Sequence, residues 1–333
     1  MAKRKVYENL SHTPQFAEGY NIFSALGSLW SRSKEAIPRV ELPSLKQNLQ
    51  QFHSEEPAII WFGHSSYLIH ANGVNILVDP VLSGYASFLS FQFRAFKGAD
   101  IYKVADMPKL DWIILTHNHY DHLDYNAIKH LAAKTNAFVT PLDVSKTIKH
   151  LAKKESSITE LNWWQSLQLA DNIKITATPA RHFSGRSLRR NGSLWTSYVL
   201  EIDHYKIFIG GDSGYDSHFK SIGDKFGPFD IALLECGQYN KMWPYIHSMP
   251  EELIDEARDL QAKVIMPVHW AKFALALHPW YEPIQKFVAA ADNAGLRYTT
   301  PMIGEAVILD QQYPQSKWWE KLIYKSRQRI AGS

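Results

Sequence analysis

The chain has 333 residues, 45% of them hydrophobic, and its 36 basic and 33 acidic side chains leave a formal charge of +3. That is ample apolar material for a large core. The near-balance of charge, with no long basic block, argues against a nucleic-acid partner. One cysteine, Cys236, excludes an internal disulfide framework and any cysteine-built zinc site. The start, MAKRKVYENLSHTPQF, lacks the apolar core of a secretory signal. No run of ~18 apolar residues marks a membrane span, so a cytoplasmic location is expected.

Residues 1–55 are polar and irregular apart from YNIFSALGSLW at 20–30, and are expected to pack as an extension on a single domain spanning 56–333. From Pro57 the texture changes. AIIWFGHSSYLIHANGVNILVDP reads as β-structure with a hairpin turn at Asn72-Gly73. VLSGYASFLSFQFRAF (81–96) is aromatic, and could line an acyl-chain groove or cover the core. DWIILT (111–116) reads as a buried strand, followed by helix over 124–134, the strand AFVT and a helix near 143–153.

The second half repeats the rhythm. NIKITATPA is a strand, TSYVLEIDHYKIFIGG is a hairpin turning at Asp203-His204, and DIALLE is a buried strand. PEELIDEARDLQA is a helix, with Ser248 as N-cap and Pro250 in its first turn. KVIMPVHW is a strand ending in histidine, and a helix over 282–294 and the strand EAVILD follow. In KWWEKLIYKSRQRI (317–330), Trp318, Trp319, Leu322 and Ile323 share one side of a basic amphipathic helix. Such a helix can rest on anionic lipid or dock on the body. Two β-rich halves, each carrying helices, suggest two packed sheets with helices outside.

The densest chemistry is LTHNHYDHLD, positions 115–124. Extended backbone out of DWIILT turns His117 and His119 to one side, where both imidazoles can share a metal. Asp121 and His122 follow and can reach a second. Imidazole with carboxylate and no thiolate suits Zn²⁺, and also Mn²⁺ or Fe²⁺. Four local ligands cannot complete two sites, and His182, Asp212 and His269 each follow an apolar run as strand-end candidates. A lone strand-end histidine is more often a hydrogen-bonding residue than a ligand; beside this cluster the balance changes. Asp79 and His64 are candidate outer partners of the ligands. His247, ahead of the helix beginning near Pro250, is a candidate for contact with substrate or leaving group.

The motif His117-Asn118-His119-Tyr120-Asp121-His122 resembles the H-x-H-x-D-H signature of the metallo-β-lactamase superfamily. WFGHSSYLI, THNHYDHLDY, ELNWW, LWTSYVL, GGDSGY, KFGPFD and HWAKFAL resemble, in order, segments of the N-acylphosphatidylethanolamine-hydrolysing phospholipase D branch, from about Leu42 to Leu309. The resemblance implies an α/β (α+β) αββα sandwich of two mixed β-sheets with helices on the outer faces. It implies a binuclear site, usually zinc. His117, His119 and His182 would bind one metal, Asp121, His122 and His269 the other, and Asp212 would bridge. The chain departs from the branch at Arg181 and Phe183 in TPARHF, and at Glu235, where the mammalian enzyme is neutral and apolar.

The expected activity is a metal-activated hydroxide attacking a phosphodiester, with Asp121 orienting the nucleophile and a phospholipid or small-molecule substrate. The alternatives are a lactonase or other carbonyl-ester hydrolase on the same site, and a metal-stabilised membrane-surface binding protein. Peripheral membrane contact is compatible with the sequence, and the oligomeric state is left open, a dimer included.

Overall fold

In the computed structural model, which describes residues 5–28, 32–89, 91, 93–151, 157–186 and 190–331, the apolar runs of the first half build one mixed sheet. β1 (Ala58–Trp61), β2 (Tyr67–Ala71) and β3 (Val74–Val78) pair antiparallel. β4 (Leu110–Ile114), β5 (Thr135–Pro141) and β6 (Ser157–Leu161) continue the sheet in parallel. In the second sheet β7 (Ser166–Ala170), β8 (Ile173–Thr178), β9 (Ser197–Ile202) and β10 (Tyr205–Ile209) are antiparallel neighbours. β11 (Ile231–Glu235) and β12 (Ile265–Val268) then add in parallel. The late strand β13 (Ala306–Ile308) returns to pair with β1 in the first sheet.

Strands such as β1 and β12 are apolar along their whole length because both faces are covered. Ile69, Leu77 and Ile113 of the first sheet and Leu200, Phe208 and Leu233 of the second are fully buried in one shared core. The described helices cover the outer faces: α2 (Tyr125–Leu131) and α3 (Ser145–Leu151) on the first sheet, and α4 (His218–Phe226), α5 (Leu253–Asp259) and α6 (Glu282–Ala294) on the second. This is the αββα sandwich. Among the described residues no helix is long and apolar enough to cross a membrane.

Both hairpin turns lie where the sequence places them. Asn72 and Gly73, at φ 53° and 75°, join the paired residues Ala71 and Val74, as a type I′ turn requires. Asp203, at φ 50°, follows Ile202, which pairs with Tyr205. The two tips meet: Asn72 Nδ2 donates to Asp203 Oδ2 at 2.6 Å, linking the sheets.

Three expectations change. The helix expected from Pro250 starts at Leu253, with Glu252 as its N-cap. Ser248 is not that cap; its hydroxyl donates to Ser213 O at 2.9 Å, and its oxygen is also hydrogen-bonded to the buried carboxyl group of Glu256. The helix expected over 124–134 is α-helical only to Leu131 and tightens to a 3₁₀ turn. Within 81–96 the core is covered only in part: Val81, Leu82, Ala86 and Phe96 pack inward, whereas Phe88 is 79% and Phe91 66% exposed. Residues 152 and 153 of the expected 143–153 helix lie outside the described residues.

The N-terminal segment contains α1 (Ile22–Ser28) and is tied to the body at Ala17 N to Met242 O, Ser33 N to Leu277 O and Leu45 N to Ile303 O. At the other end α7 (Trp318–Ala331) buries Trp318, Trp319, Leu322 and Ile323 against the body. Trp270 is the hub: its ring lies 5.2 Å from Trp318, 5.6 Å from Trp319 and 5.5 Å from Trp61. The same apolar side is therefore not free to rest on lipid.

Trp270→Ala removes this hub from a fully packed position. We expect a loss of about 3–5 kcal/mol, read as a lowered midpoint in urea unfolding followed by far-ultraviolet circular dichroism.

Candidate metal centre

In the first sheet β1, β3 and β4 run in one direction; in the second, β8, β10, β11 and β12 share a direction. Their C-terminal ends therefore open on one edge, the usual place for chemistry on a sheet scaffold. His64 follows β1, Asp79 follows β3, and the His117–His122 cluster follows β4. His182 follows β8, Asp212 follows β10, Glu235 ends β11 and His269 follows β12.

The structure brings all seven predicted ligands together in two groups that share an edge. His117, His119, His182 and Asp212 offer atoms within 4.8 Å of one another, and so do His64, Asp121, His122 and His269. In the first group His119 Nδ1 lies 2.9 Å from His117 Nε2 and 3.2 Å from His182 Nε2. His117 and His119 thus converge through different ring nitrogens, the chain having left the strand. Asp212 stands between the groups. Its Oδ1 is 3.1 Å from His122 Nε2 and 3.3 Å from His269 Nε2, and its Oδ2 is 3.7 Å from His182 Nε2 and 3.8 Å from His117 Nε2.

This donor set fits divalent cations. Nitrogens 2.9 and 3.2 Å apart lie near the roughly 3.3 Å separation around a tetrahedral ion with metal–nitrogen distances of 2.0–2.1 Å. Unprotonated imidazole nitrogens that close repel unless a cation lies between them. His122 Nε2 and Asp212 Oδ1 are buried without a hydrogen bond, as atoms aimed at an ion would be.

The opposite ring nitrogens are fixed by acceptors, which selects the tautomer. His122 Nδ1 donates to Asp79 Oδ2 at 2.7 Å. Asp79 also accepts Thr116 N at 2.8 Å and Thr116 Oγ1 at 2.6 Å, and Thr116 Oγ1 lies 3.0 Å from His117 Nδ1. His182 Nδ1 donates to Ile246 O at 2.8 Å. His64 Nε2 donates to Asp121 Oδ2 at 2.9 Å. Asp79 and His64 therefore both contact the predicted ligands. His64, Asp79 and His269 hold φ of 54°, 40° and 65°, strained values for these residues that sharp exits from strands impose. Gly211, at φ 63°, leaves no room for a side chain, because an added Cβ would meet Thr116 Cβ at 3.0 Å.

Electrostatics divides the two groups. Burial, helped by His122 and His119, holds His117 well below the usual range. Burial also lowers His182 and takes His119 to about 4. These rings are neutral and keep lone pairs. Burial also disfavours charge on His122 and His269, but the carboxylates outweigh it. Asp212, Asp121 and Asp79 hold His122 well above its ordinary value, and Asp212, Asp121 and Glu235 lift His269 to about 10. Asp121 and Asp212 stay ionised well below the carboxylate range, because His122 above all offsets their burial.

Sequence reasoning missed four contributors. Asp124 caps α2 at Asn126 N and Ala127 N, and its other oxygen accepts Leu82 N and Ser83 N; an Asp just before a helical pattern is the signal for it. Thr116 has no local signal. Asn9, in the N-terminal segment, brackets His182: Nδ2 donates to His182 O at 2.8 Å and Oδ1 accepts His182 N at 3.1 Å. Arg186 donates to Asn118 O and lies 4.0 Å over the Tyr120 ring, clasping the cluster loop.

The departures at Arg181 and Phe183 also gain partners. Arg181 donates to Thr13 Oγ1 and His12 O, anchoring the N-terminal segment. The Phe183 ring lies 4.5 Å from that of His119. Above the centre is a pocket of about 200 Å³ whose apolar walls include Phe16, Phe183, Trp243, Ile246 and Leu275. His247 faces it, and its Nδ1 lies 2.7 Å from Glu235 Oε2. A second cavity of about 350 Å³ lies beside the cluster loop, against Tyr85, Phe88, Tyr120, Tyr125 and Arg186.

Residues 74–270 match the Beta-lactamase superfamily domain. The chain is 35% identical over 295 residues to an uncharacterised protein of Mycobacterium tuberculosis, covering 87% of this chain and 79% of that protein. It is 33% identical over 266 residues to N-acyl-phosphatidylethanolamine-hydrolyzing phospholipase D 1 of Caenorhabditis elegans, covering 75% of this chain and 74% of that one. A metallo hydrolase of Ignicoccus hospitalis shares the fold, with a TM-score of 0.59 at 19% identity over 77% of this chain and 99% of its own. Fold, donor set and sequence agree that this chain belongs to the metallo-β-lactamase superfamily of metal-dependent hydrolases.

Proposed function

We propose that this protein is a binuclear metal-dependent phosphodiesterase of the N-acylphosphatidylethanolamine phospholipase D type, with zinc as its metal. The observation that carries the reading is Asp212, whose two oxygens face two separate groups of imidazoles at the floor of one pocket. His117, His119 and His182 would hold one ion, and Asp121, His122 and His269 the other, with Asp212 shared. The likeness to the phospholipase D of Caenorhabditis elegans supports the choice of bond.

When bound, the pair of cations supplies Lewis acidity toward a phosphoryl oxygen and acidifies water toward neutrality. The chain's own residues supply the rest. Asp121, 14% exposed and held by His64, orients the attacking water. His247 lines the same pocket, stacked on His269, and passes a proton to the leaving oxygen. Phe16, Phe183 and Trp243 exclude bulk solvent.

A pocket of about 200 Å³ is small beside the roughly 300–1,000 Å³ typical of sites that enclose a whole ligand. It suits the phosphodiester group, leaving acyl chains outside. The second cavity beside Tyr120 and the exposed Phe88, Leu89, Phe91 and Phe93 offer those chains, or a lipid surface, an apolar path. The same small pocket also accommodates a lactone or compact ester, the second reading.

The deciding experiment is release of phosphatidic acid from N-acylphosphatidylethanolamine by the zinc-loaded protein. Release is expected, and chelation and Asp212→Asn should each abolish it; a protein holding two zinc ions that hydrolyses only lactones or esters would overturn the phosphodiester reading. Asp79→Ala, which frees His122 and Thr116, should lower activity or metal affinity about 10- to 100-fold, measured by turnover and by competition with a chromophoric chelator.

Metal affinity should also depend on pH. His269 holds a proton up to about pH 10 in the protein alone, whereas His119 loses its own above about 4. A cation must displace the His269 proton, so affinity for the second ion should climb as pH rises from 6 to 9. Affinity for the first should change less. Calorimetry in buffers of different ionisation enthalpy counts the released protons.

A further inference from the structure

Glu235 ends β11 with its carboxylate buried and only 3% exposed. Oε1 accepts the backbone N–H of Ser213 at 2.8 Å, which fixes the group against the Asp212 loop. Oε2 lies against two imidazoles, His247 Nδ1 at 2.7 Å and His269 Nδ1 at 3.0 Å, the latter nitrogen also facing Gly237 O at 3.3 Å. The two rings are stacked, 5.3 Å apart and 18° from parallel. With both Nδ1 atoms turned back to one oxygen, both Nε2 atoms turn toward the pocket that the rings line. On His269 that nitrogen reaches Asp212 and Asp121, at 3.3 and 3.4 Å.

We infer that Glu235 is the positioning residue of His247, and that through their shared oxygen it ties the orientation of His247 to that of the ligand His269. This rests on the reading of His247 given above. A carboxylate at Nδ1–H selects the tautomer with its lone pair on Nε2, and stabilises the imidazolium that forms when Nε2 takes a proton. Proton transfer to the leaving group then balances. The attacking water forms the new O–P bond and releases a proton to solvent, the P–O bond to the leaving group breaks with its electron pair on oxygen, the Nε2–H bond of protonated His247 breaks with its pair on nitrogen, and that proton joins the leaving oxygen. The ring returns neutral with Nδ1–H still on Glu235. An apolar side chain at 235 would leave the Nδ1–H of His247 without this acceptor.

The test uses the full zinc-loaded chain labelled with ¹⁵N-histidine. Long-range ¹H–¹⁵N correlation reads each ring's tautomer, and His247→Asn assigns the His247 signals by their loss. Zinc content and turnover of bis(4-nitrophenyl) phosphate are measured alongside for wild type and Glu235→Gln. We expect His247 to carry its proton on Nδ1 in the wild type and to lose that preference in Glu235→Gln. With two zinc ions still bound, kcat should fall about 10- to 100-fold while KM holds. A wild-type His247 with no proton on Nδ1 would overturn the inference by itself, as would an unchanged tautomer in Glu235→Gln. Zinc loss in Glu235→Gln, with kcat restored by excess zinc, would also overturn it by making Glu235 a support of the metal alone. If the wild type does not turn over the phosphodiester, the proposed activity fails, while the tautomer and zinc readouts still decide the role of Glu235.

Discussion

Asp212 is the constraint on which the rest of the molecule depends. Its carboxylate is almost fully buried yet ionised, and four imidazole nitrogens lie within 3.1–3.8 Å of its two oxygens. An isolated charge in such a place would be prohibitive. It is tolerated only because strands of both sheets deliver their ends to one edge, so that imidazoles surround it. The packing of two sheets through one apolar core is thus the means by which a shared carboxylate is kept in place.

Backbone strain follows from the same demand. Strands that stop abruptly at a polar group must turn sharply, and His64, Asp79 and His269 all take left-handed conformations where they do. The surrounding apolar packing holds them there: Trp270, next to His269, sits in a tryptophan cluster, and Asp79 is pinned by Thr116 and His122. The site is precise because its supports are rigid, a requirement for holding ligands in productive geometry.

The N-terminal segment turns an exposed metal edge into a pocket. Asn9 grips the backbone of His182, Arg181 holds His12 and Thr13, and Phe16 forms part of the wall. Of the departures from the phospholipase D pattern, Phe183 lines this pocket and packs on His119, Arg181 anchors the segment, and Glu235 sits behind His247. They leave the donor set intact and shape what approaches it.

The dense cluster at 117–122 was legible because six residues in sequence carry their own spacing, and because apolar runs that end in His182, Asp212 and His269 mark strand ends. The hairpin at Asn72-Gly73 was legible because a two-residue turn with positive φ has a local chemistry. What the sequence by itself determined is therefore the strands, their turns and the identity of the metal-capable donors. Only the tertiary structure decided that His117 and His119 converge through different nitrogens, that Asp212 faces both groups, and that Glu235 serves two rings. It also decided that Asn9 reaches His182 across 173 positions, and that Ser248 satisfies buried partners instead of capping a helix. The apolar side of the last helix illustrates the limit: its pattern fits lipid or protein equally, and the choice came from a tryptophan hub assembled out of three separate segments. Periodicity and motif spacing are local quantities, whereas hydrogen-bond partners and burial are set by which distant surfaces meet.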